Sequence, residues 1–274
     1  MAKKKDRFKY KERKRFGEGM RAAGKLASQI LDEVAALVGP GISTFEIDAL
    51  VDRLTLAAGA VSAPFGYRGF PSHCCTSINE VVCHGIPGAA ILKEGDIVNV
   101  DVTPKLRGFH GDSSRMFCIG DVSEEAAKLC TAAYESLWLG IKAVTPGCMI
   151  DVIGAAIQPF AEAQGYSVVK QFCGHGIGKI FHRDPPIPHM IVEPGGIEFP
   201  VLKPGMAFTI EPMINLGGWE AEVQADNWTA ITKDGSLSAQ WEHTLLVHSD
   251  RIEVLTLSQE ELKFQEPPSE EKSE

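Results

Sequence analysis

One ten-residue pattern of chemistry occurs twice in this chain, and each copy ends in a carboxylate. Leu92-Lys93-Glu94-Gly95-Asp96-Ile97-Val98-Asn99-Val100-Asp101 aligns without a gap on Leu202-Lys203-Pro204-Gly205-Met206-Ala207-Phe208-Thr209-Ile210-Glu211, at a constant offset of 110 positions. After the glycine, both copies alternate as a strand does. Val98 and Val100, like Phe208 and Ile210, point one way; Asn99 and Asp101, like Thr209 and Glu211, point the other. The likeness runs wider than these strands. Val38-Gly39-Pro40-Gly41 opens a helical stretch in the first half, and Val144-Thr145-Pro146-Gly147 opens one in the second. His84-Gly85-Ile86 precedes the first copy as His175-Gly176-Ile177 precedes the second. Two copies are too few for a solenoid. They predict two similar halves that close one sheet and meet at a shared site.

A chain of 274 residues can bury a full core as one large domain. Its 44% hydrophobic and 23% charged residues are those of a soluble globular protein, and no apolar run is long enough to span a membrane. The seven cysteines are odd in number and form no Cys-x-x-Cys pair, which speaks against a disulfide framework and for a reducing, cytoplasmic setting. Charge is unevenly spread. Residues 1–16 hold nine Lys or Arg against two acids, in a chain whose net charge is −9. Residues 1–10 read as a basic flexible arm, able at most to touch a polyanion such as ribosomal RNA. No apolar stretch follows the arm, so it is not a secretory signal. Residues 258–274 read as an acidic disordered tail.

Between them, one domain is expected over residues 11–257, with halves of roughly 11–120 and 121–257. Apolar residues at helical spacing (Phe16, Met20, Ala23, Ile30, Val34, Leu37) predict a helix from about Lys11 to Leu37. Ser43-Thr44-Phe45-Glu46 is a capping box that opens a second helix through Ala58. Ser123 caps a third, to Val144, and a fourth runs from about Met149 to Ala163. Residues 75–118 and 168–256 read as strands, the latter broken by a Pro-rich excursion from Asp184 to Pro200. Asp234-Gly235 marks a hairpin turn. The class is α+β, with helices on the outer face of a curved, largely antiparallel sheet.

Asp101 and Asp112 flank the turn Pro104-Lys105-Leu106-Arg107-Gly108. Pairing symmetric about Leu106 and Arg107 sets the two acids opposite each other, where they repel unless a cation lies between them or one stays protonated. In the second half, Glu242 is the analogous partner of Glu211, and Gln240, Glu242 and Thr244 share a polar face. His175 stands between two glycines. Four carboxylates and one imidazole form an oxygen-rich set suited to Mn, Fe or Co rather than to a closed zinc site. Their charge calls for more than one divalent ion, and two ions can hold a bridging hydroxide as nucleophile.

Five ordered motifs together resemble the type I methionine aminopeptidases, in their bacterial-like form. They are Val81-Val82-Cys83-His84-Gly85-Ile86-Pro87, the Asp101/Asp112 hairpin, Gly174-His175-Gly176-Ile177-Gly178, Phe208-Thr209-Ile210-Glu211-Pro212 and Gln240-Trp241-Glu242-His243-Thr244. The resemblance runs from about residue 10 to 256. It implies the pita-bread fold, with a dinuclear site on the concave face built from Asp101, Asp112, His175, Glu211 and Glu242. Two divalent ions (Mn, Fe or Co, with Zn possible) are implied. So is removal of the initiator methionine from new polypeptides when the second residue is small. By motif, His84 is expected near the substrate N-terminus, assisting proton transfer. His182 is expected at the scissile carbonyl, and Glu211 as a proton shuttle as well as a ligand. Tyr67, Phe70, Cys75, Phe181 and Trp228 are the implied methionine pocket, an aromatic cleft for a polarisable thioether. Phe70 stands where the family has Tyr, and Pro64 where it has Cys.

Two rivals fit less well. Xaa-Pro peptidases of the same fold carry a large N-terminal domain, and only about forty residues precede the first Pro-Gly turn. A metal-free binding module would have lost ligands, and all five are present. The type II aminopeptidases carry a late insertion for which the His175–Glu211 interval leaves no sign. A monomer is expected, acting on the N-terminal Met of nascent chains, with a transient ribosome contact through the arm.

Overall fold

The computed structural model describes residues 2–192 and 199–265, and the side chains from residue 11 to residue 263 within them. The first helix, α1 (Ala2–Leu37), buries Met20, Ala23, Ala27, Ile30, Leu31 and Val34. Its backbone is helical from Ala2, where a flexible arm was expected over residues 1–10. Lys, Arg and Glu are good helix formers, and adding turns to an anchored helix needs no new nucleus. Next comes α2 (Thr44–Ala57), opened by the expected capping box. Ser43 Oγ accepts from Glu46 N at 3.3 Å, and Glu46 Oε2 accepts from Ser43 N at 2.8 Å. Ser123 caps α3 (Glu124–Ala143), and α4 (Val152–Ala163) packs beside it.

The duplication is visible bond for bond. Gly41 N donates to Leu92 O and Leu92 N to Ile42 O, both at 2.8 Å; Gly147 N donates to Leu202 O at 2.9 Å and Leu202 N to Cys148 O at 2.8 Å. The turn glycines Gly95 and Gly205 have φ of +91° and +92°, a region that favours glycine, and each donates to the strand alongside. Both repeat strands bury their apolar residues under helices. In the first half Val98, Val100 and Val102 pack on α1 and α2; in the second, Phe208 and Ile210 pack on α3 and α4.

Each half has an antiparallel three-strand unit at its centre. In the first, Cys75–Ile78, Ile97–Val102 and Ser113–Cys118 lie side by side; in the second, Gly174–Gly176, Ala207–Ile210 and His243–Val247 do. The two units meet where Glu242 N donates to Ser114 O at 3.1 Å and Ser113 Oγ donates to Glu242 O at 2.8 Å. Asn99 Nδ2 adds a bond across the junction to Gln240 O at 2.7 Å. This is the expected arrangement of two pseudo-symmetric halves.

Several expectations need correction. The His-Gly-Ile matches are not structural counterparts. Ile177 N donates to Ala207 O as Asn79 N donates to Ile97 O, so His175 corresponds to Ser77, while His84 follows the separate strand Val81–Cys83. The Asp101/Asp112 hairpin is centred on Arg107 and Gly108, not Leu106 and Arg107. Both have positive φ (51° and 84°), as a type I′ hairpin turn requires, and Lys105 pairs with His110. Asp101 therefore faces Ser114, and Asp112 lies diagonal to it on the same face.

Asp234-Gly235 does turn, but its flanking strands Ala230–Thr232 and Ser238–Gln240 pair with other partners rather than with each other. Within the Pro-rich stretch, Arg183–Ile187 is a strand paired with Gly174–Gly176, and residues 193–198 lie outside the described residues. Of the tail expected to be disordered, Gln259–Gln265 forms α5. Glu261 anchors it, accepting from Tyr134 Oη at 3.1 Å and lying 3.2 Å from His243 Nε2. Residues 266–274 lie outside the described residues. Among the described residues, no helix is long and apolar enough to cross a membrane.

Candidate metal centre and cleft

All twelve candidate site residues line one cleft with about 480 Å³ of open volume. Asp101, Asp112, His175, Glu211 and Glu242 come from five different segments. His84, His182, Tyr67, Phe70, Cys75, Phe181 and Trp228 complete the lining, with Pro64 and Thr103.

The acids are held from behind by hydroxyls. Thr103 Oγ1 donates to Asp112 Oδ1 at 2.7 Å, and Thr209 Oγ1 donates to Glu211 Oε1 at 2.7 Å. Thr244 Oγ1 donates to Asp112 O at 2.8 Å, and Gln240 Nε2 donates to Glu211 Oε2 at 3.3 Å. Thr209 and Thr244 are a directly opposed pair of the central ladder, so one cross-strand contact serves both half-sites. Thr103 and Thr209 were missed as supporting residues; their signal was a hydroxyl two residues from an acid on a strand. His175 Nε2 lies 3.4 Å from Asp112 Oδ2 and 3.7 Å from Glu211 Oε1. Its flanking glycines have a steric reason. A Cβ on Gly174 would sit 2.5 Å from Thr209 O, and one on Gly176 would collide with Asp184 O.

Asp101, Glu211 and Glu242 hold their protons more tightly than ordinary carboxylates. Burial pushes Asp101 and Glu242 well above the usual carboxylate range, and Asp112 and Glu211 push them further. Glu211 is raised to about 7, by burial first, with His175 opposing and Asp112 adding to it. The His175 ring is raised despite burial, because Asp112 and Glu211 face it. Asp101 Oδ1 is buried with no hydrogen-bond partner among the described residues. Ligand atoms of Asp112, His175 and Glu242 lie within 4.8 Å of one another. A buried acceptor without a donor, among mutually repelling acids around one imidazole, fits a divalent cation.

The other wall is aromatic. Phe70 and Trp228 meet edge to face at 5.1 Å, and Tyr67 and Phe181 lie 5.1 Å apart. His84 stands edge-on to Trp228 at 6.0 Å, with burial lowering its pKa. His182 stacks on Phe181 at 4.0 Å and meets the His175 ring at 4.3 Å. Burial, then the neighbouring His175, holds it neutral with a pKa of about 4. Sequence reasoning also missed His110. Its ring stacks on Phe181 at 5.5 Å, and its Nδ1 donates to Gly178 O at 2.8 Å.

The model of metallopeptidase family M24 matches residues 18–249. Methionine aminopeptidase A of Synechocystis sp. is 57% identical, over 88% of this chain and 95% of that protein. The Escherichia coli methionine aminopeptidase is 50% identical, over 89% and 92%. Among solved structures, the methionine aminopeptidase of Rickettsia prowazekii superposes with a TM-score of 0.85 at 45% identity, over 89% of this chain and 98% of that one.

Proposed function

The chain belongs to metallopeptidase family M24, and from that membership and the shape of the cleft we propose that it is a methionine aminopeptidase. It removes the N-terminal methionine of new polypeptides and prefers a small second residue. One observation carries the reading: a wall of four acids and a histidine faces a wall of Tyr67, Phe70, Phe181 and Trp228 within one cleft. Asp101, Asp112, His175, Glu211 and Glu242 would hold two divalent ions, Mn, Fe or Co. When bound, such ions polarise the first peptide carbonyl and acidify the attacking water.

The chain's own groups do the rest. Phe70 and Cys75, 3% and 7% exposed, line the cleft with apolar and polarisable surface suited to a thioether. Glu211 accepts the proton released by water and returns it to the leaving amine. Neutral His182 offers a ring N–H to the carbonyl oxygen as negative charge develops there. His84 assists proton transfer at the substrate N-terminus. The protein acts as a cytoplasmic monomer, with the basic N-terminal segment free to meet an anionic surface such as the ribosome.

Hydrolysis of Met-Ala-Ser and Ala-Pro peptides by metal-stripped enzyme reloaded with Mn, Fe, Co or Zn tests the reading. Met-Ala-Ser is expected to be cut and Ala-Pro spared. Asp101→Asn and Glu242→Gln should each fold and lose more than about 99% of turnover, because an amide is a poor ligand and cannot balance a cation. Near-normal turnover in either fully loaded variant would refute the ligand set.

A further inference from the structure

The two repeat strands end differently. Asp101 lies inside a ladder, paired with Cys75 on one side and Ser114 on the other. Its counterpart Glu211 stands one residue beyond the strand Ala207–Ile210, just before Pro212. Ala207 turns its carbonyl to Ile177 N, on the side of the strand Gly174–Gly176, and Glu211, four residues on, turns its N–H to that same side. The register of Phe208 with Gly176 sets Glu211 opposite Cys173, one residue before the strand Gly174–Gly176 begins. The neighbouring strand thus stops short and leaves the Glu211 N–H without a sheet partner. A buried N–H must find an acceptor elsewhere.

That acceptor is a histidine ring. Glu211 N donates to His189 Nε2 at 3.0 Å. His189 is 1% exposed, and its Nδ1 has no partner among the described residues, so the bond to Glu211 is the ring's one polar contact there. A ring nitrogen that accepts from N–H keeps its lone pair, so the ring's proton sits on Nδ1. The segment carrying His189 is itself clamped to α4. Ile191 N donates to Gln158 Oε1 at 2.7 Å, and a Cβ on Gly154 would collide with Met190 O. Gly154 and Gln158 lie four residues apart and so share a helix face.

We propose that His189 is a positioning residue for Glu211: its Nε2 replaces the missing ladder partner and fixes the backbone from which the Glu211 carboxylate reaches into the metal centre. Thr209 and Gln240 hold the carboxylate, and His189 holds its root. The proposal rests on the reading of Glu211 as a metal ligand. Groups that orient ligands in this way typically alter metal affinity or activity by about 10–100-fold when lost.

Two amide variants test it. In His189→Gln the side-chain oxygen reaches roughly where Nε2 lies; in His189→Asn it falls short. Polarity is the same, so a general packing defect should affect both. Binding of Mn²⁺ to metal-stripped protein is measured by titration calorimetry, alongside thermal melting without metal. The expected result is Mn²⁺ affinity about tenfold or more below wild type for His189→Asn, and largely restored for His189→Gln. Glu211→Gln serves as the control. If Glu211→Gln binds Mn²⁺ as wild type does, the ligand reading fails. If Glu211→Gln weakens binding but both His189 variants match wild type, only the positioning role fails. Equal loss in the two His189 variants would also overturn it, as would failure of both to fold, because reach would then make no difference.

Discussion

Glu211 combines burial, three acidic neighbours and a histidine, and its raised pKa predicts how the metal-free protein responds to pH. The folded pKa of about 7 exceeds the ordinary 4.5. The folded state therefore binds the extra proton, and this contribution to stability is present below pH 4.5 and lost as pH rises through 7. Glu211→Gln removes that dependence. The melting temperature of metal-free Glu211→Gln minus that of wild type should grow by a few degrees between pH 4.5 and pH 8. A difference that stays flat with pH would contradict the assignment. The histidines divide by role. His84→Ala should lower turnover while metal content stays close to wild type, and His175→Ala should lower metal content itself, as measured by elemental analysis. Equal metal loss would mean that a ligand had been taken for an acid–base group. The identities of these residues were legible in the sequence because acids at alternate strand positions declare a polar face. His189 was not, since it lies 22 positions from Glu211 and its role arises only from where a ladder stops.

Helix ends and close-approach glycines set stability at the next scale. Ser43→Ala removes the side-chain half of a capping box on a peripheral helix, while its backbone N–H still donates to Glu46; it should cost about 1 kcal/mol and leave peptide hydrolysis unchanged. Gly111→Ala should cost more. A Cβ there would strike the backbone of Ala23 in α1, and Asp112 is the next residue. Overpacking of about 1–3 kcal/mol is expected, together with weaker metal binding, because α1 and the Asp112 segment cannot separate without moving a ligand. Denaturant melts of both variants with metal titrations check this; a Gly111→Ala protein with unchanged metal affinity would show that the segment relaxes without disturbing Asp112. Helices α1 to α4 were readable from periodicity and caps. The short helix α5 was not, because its anchor, Glu261 against His243 and Tyr134, depends on partners far away in sequence.

Across the whole molecule, α1 spans both halves. Met20 and Ala23 pack with Phe109 of the first half and with Ile177, Ala207 and Leu246 of the second. The described anchoring contacts begin at Phe16, so deleting residues 1–10 should leave Met-Ala-Ser hydrolysis and melting nearly unchanged. If the dense positive charge meets the ribosome, binding should weaken in the deletion and fall with added salt, through counterion release. Equal ribosome binding by both forms at low salt would remove that idea. The sequence by itself determined that there are two halves, that each carries a carboxylate strand, and which residue types gather around them. These follow from local rules: a period of two along a strand, a helical period of 3.6, and turns marked by Pro and Gly. Tertiary structure alone decided the centring of the Asp101/Asp112 hairpin, the non-equivalence of His84 and His175, and the joining of the halves through Ser114 and Glu242. Those outcomes depend on contacts between residues far apart in the chain, whose geometry is set by how two packed halves fit together and not by any window of sequence.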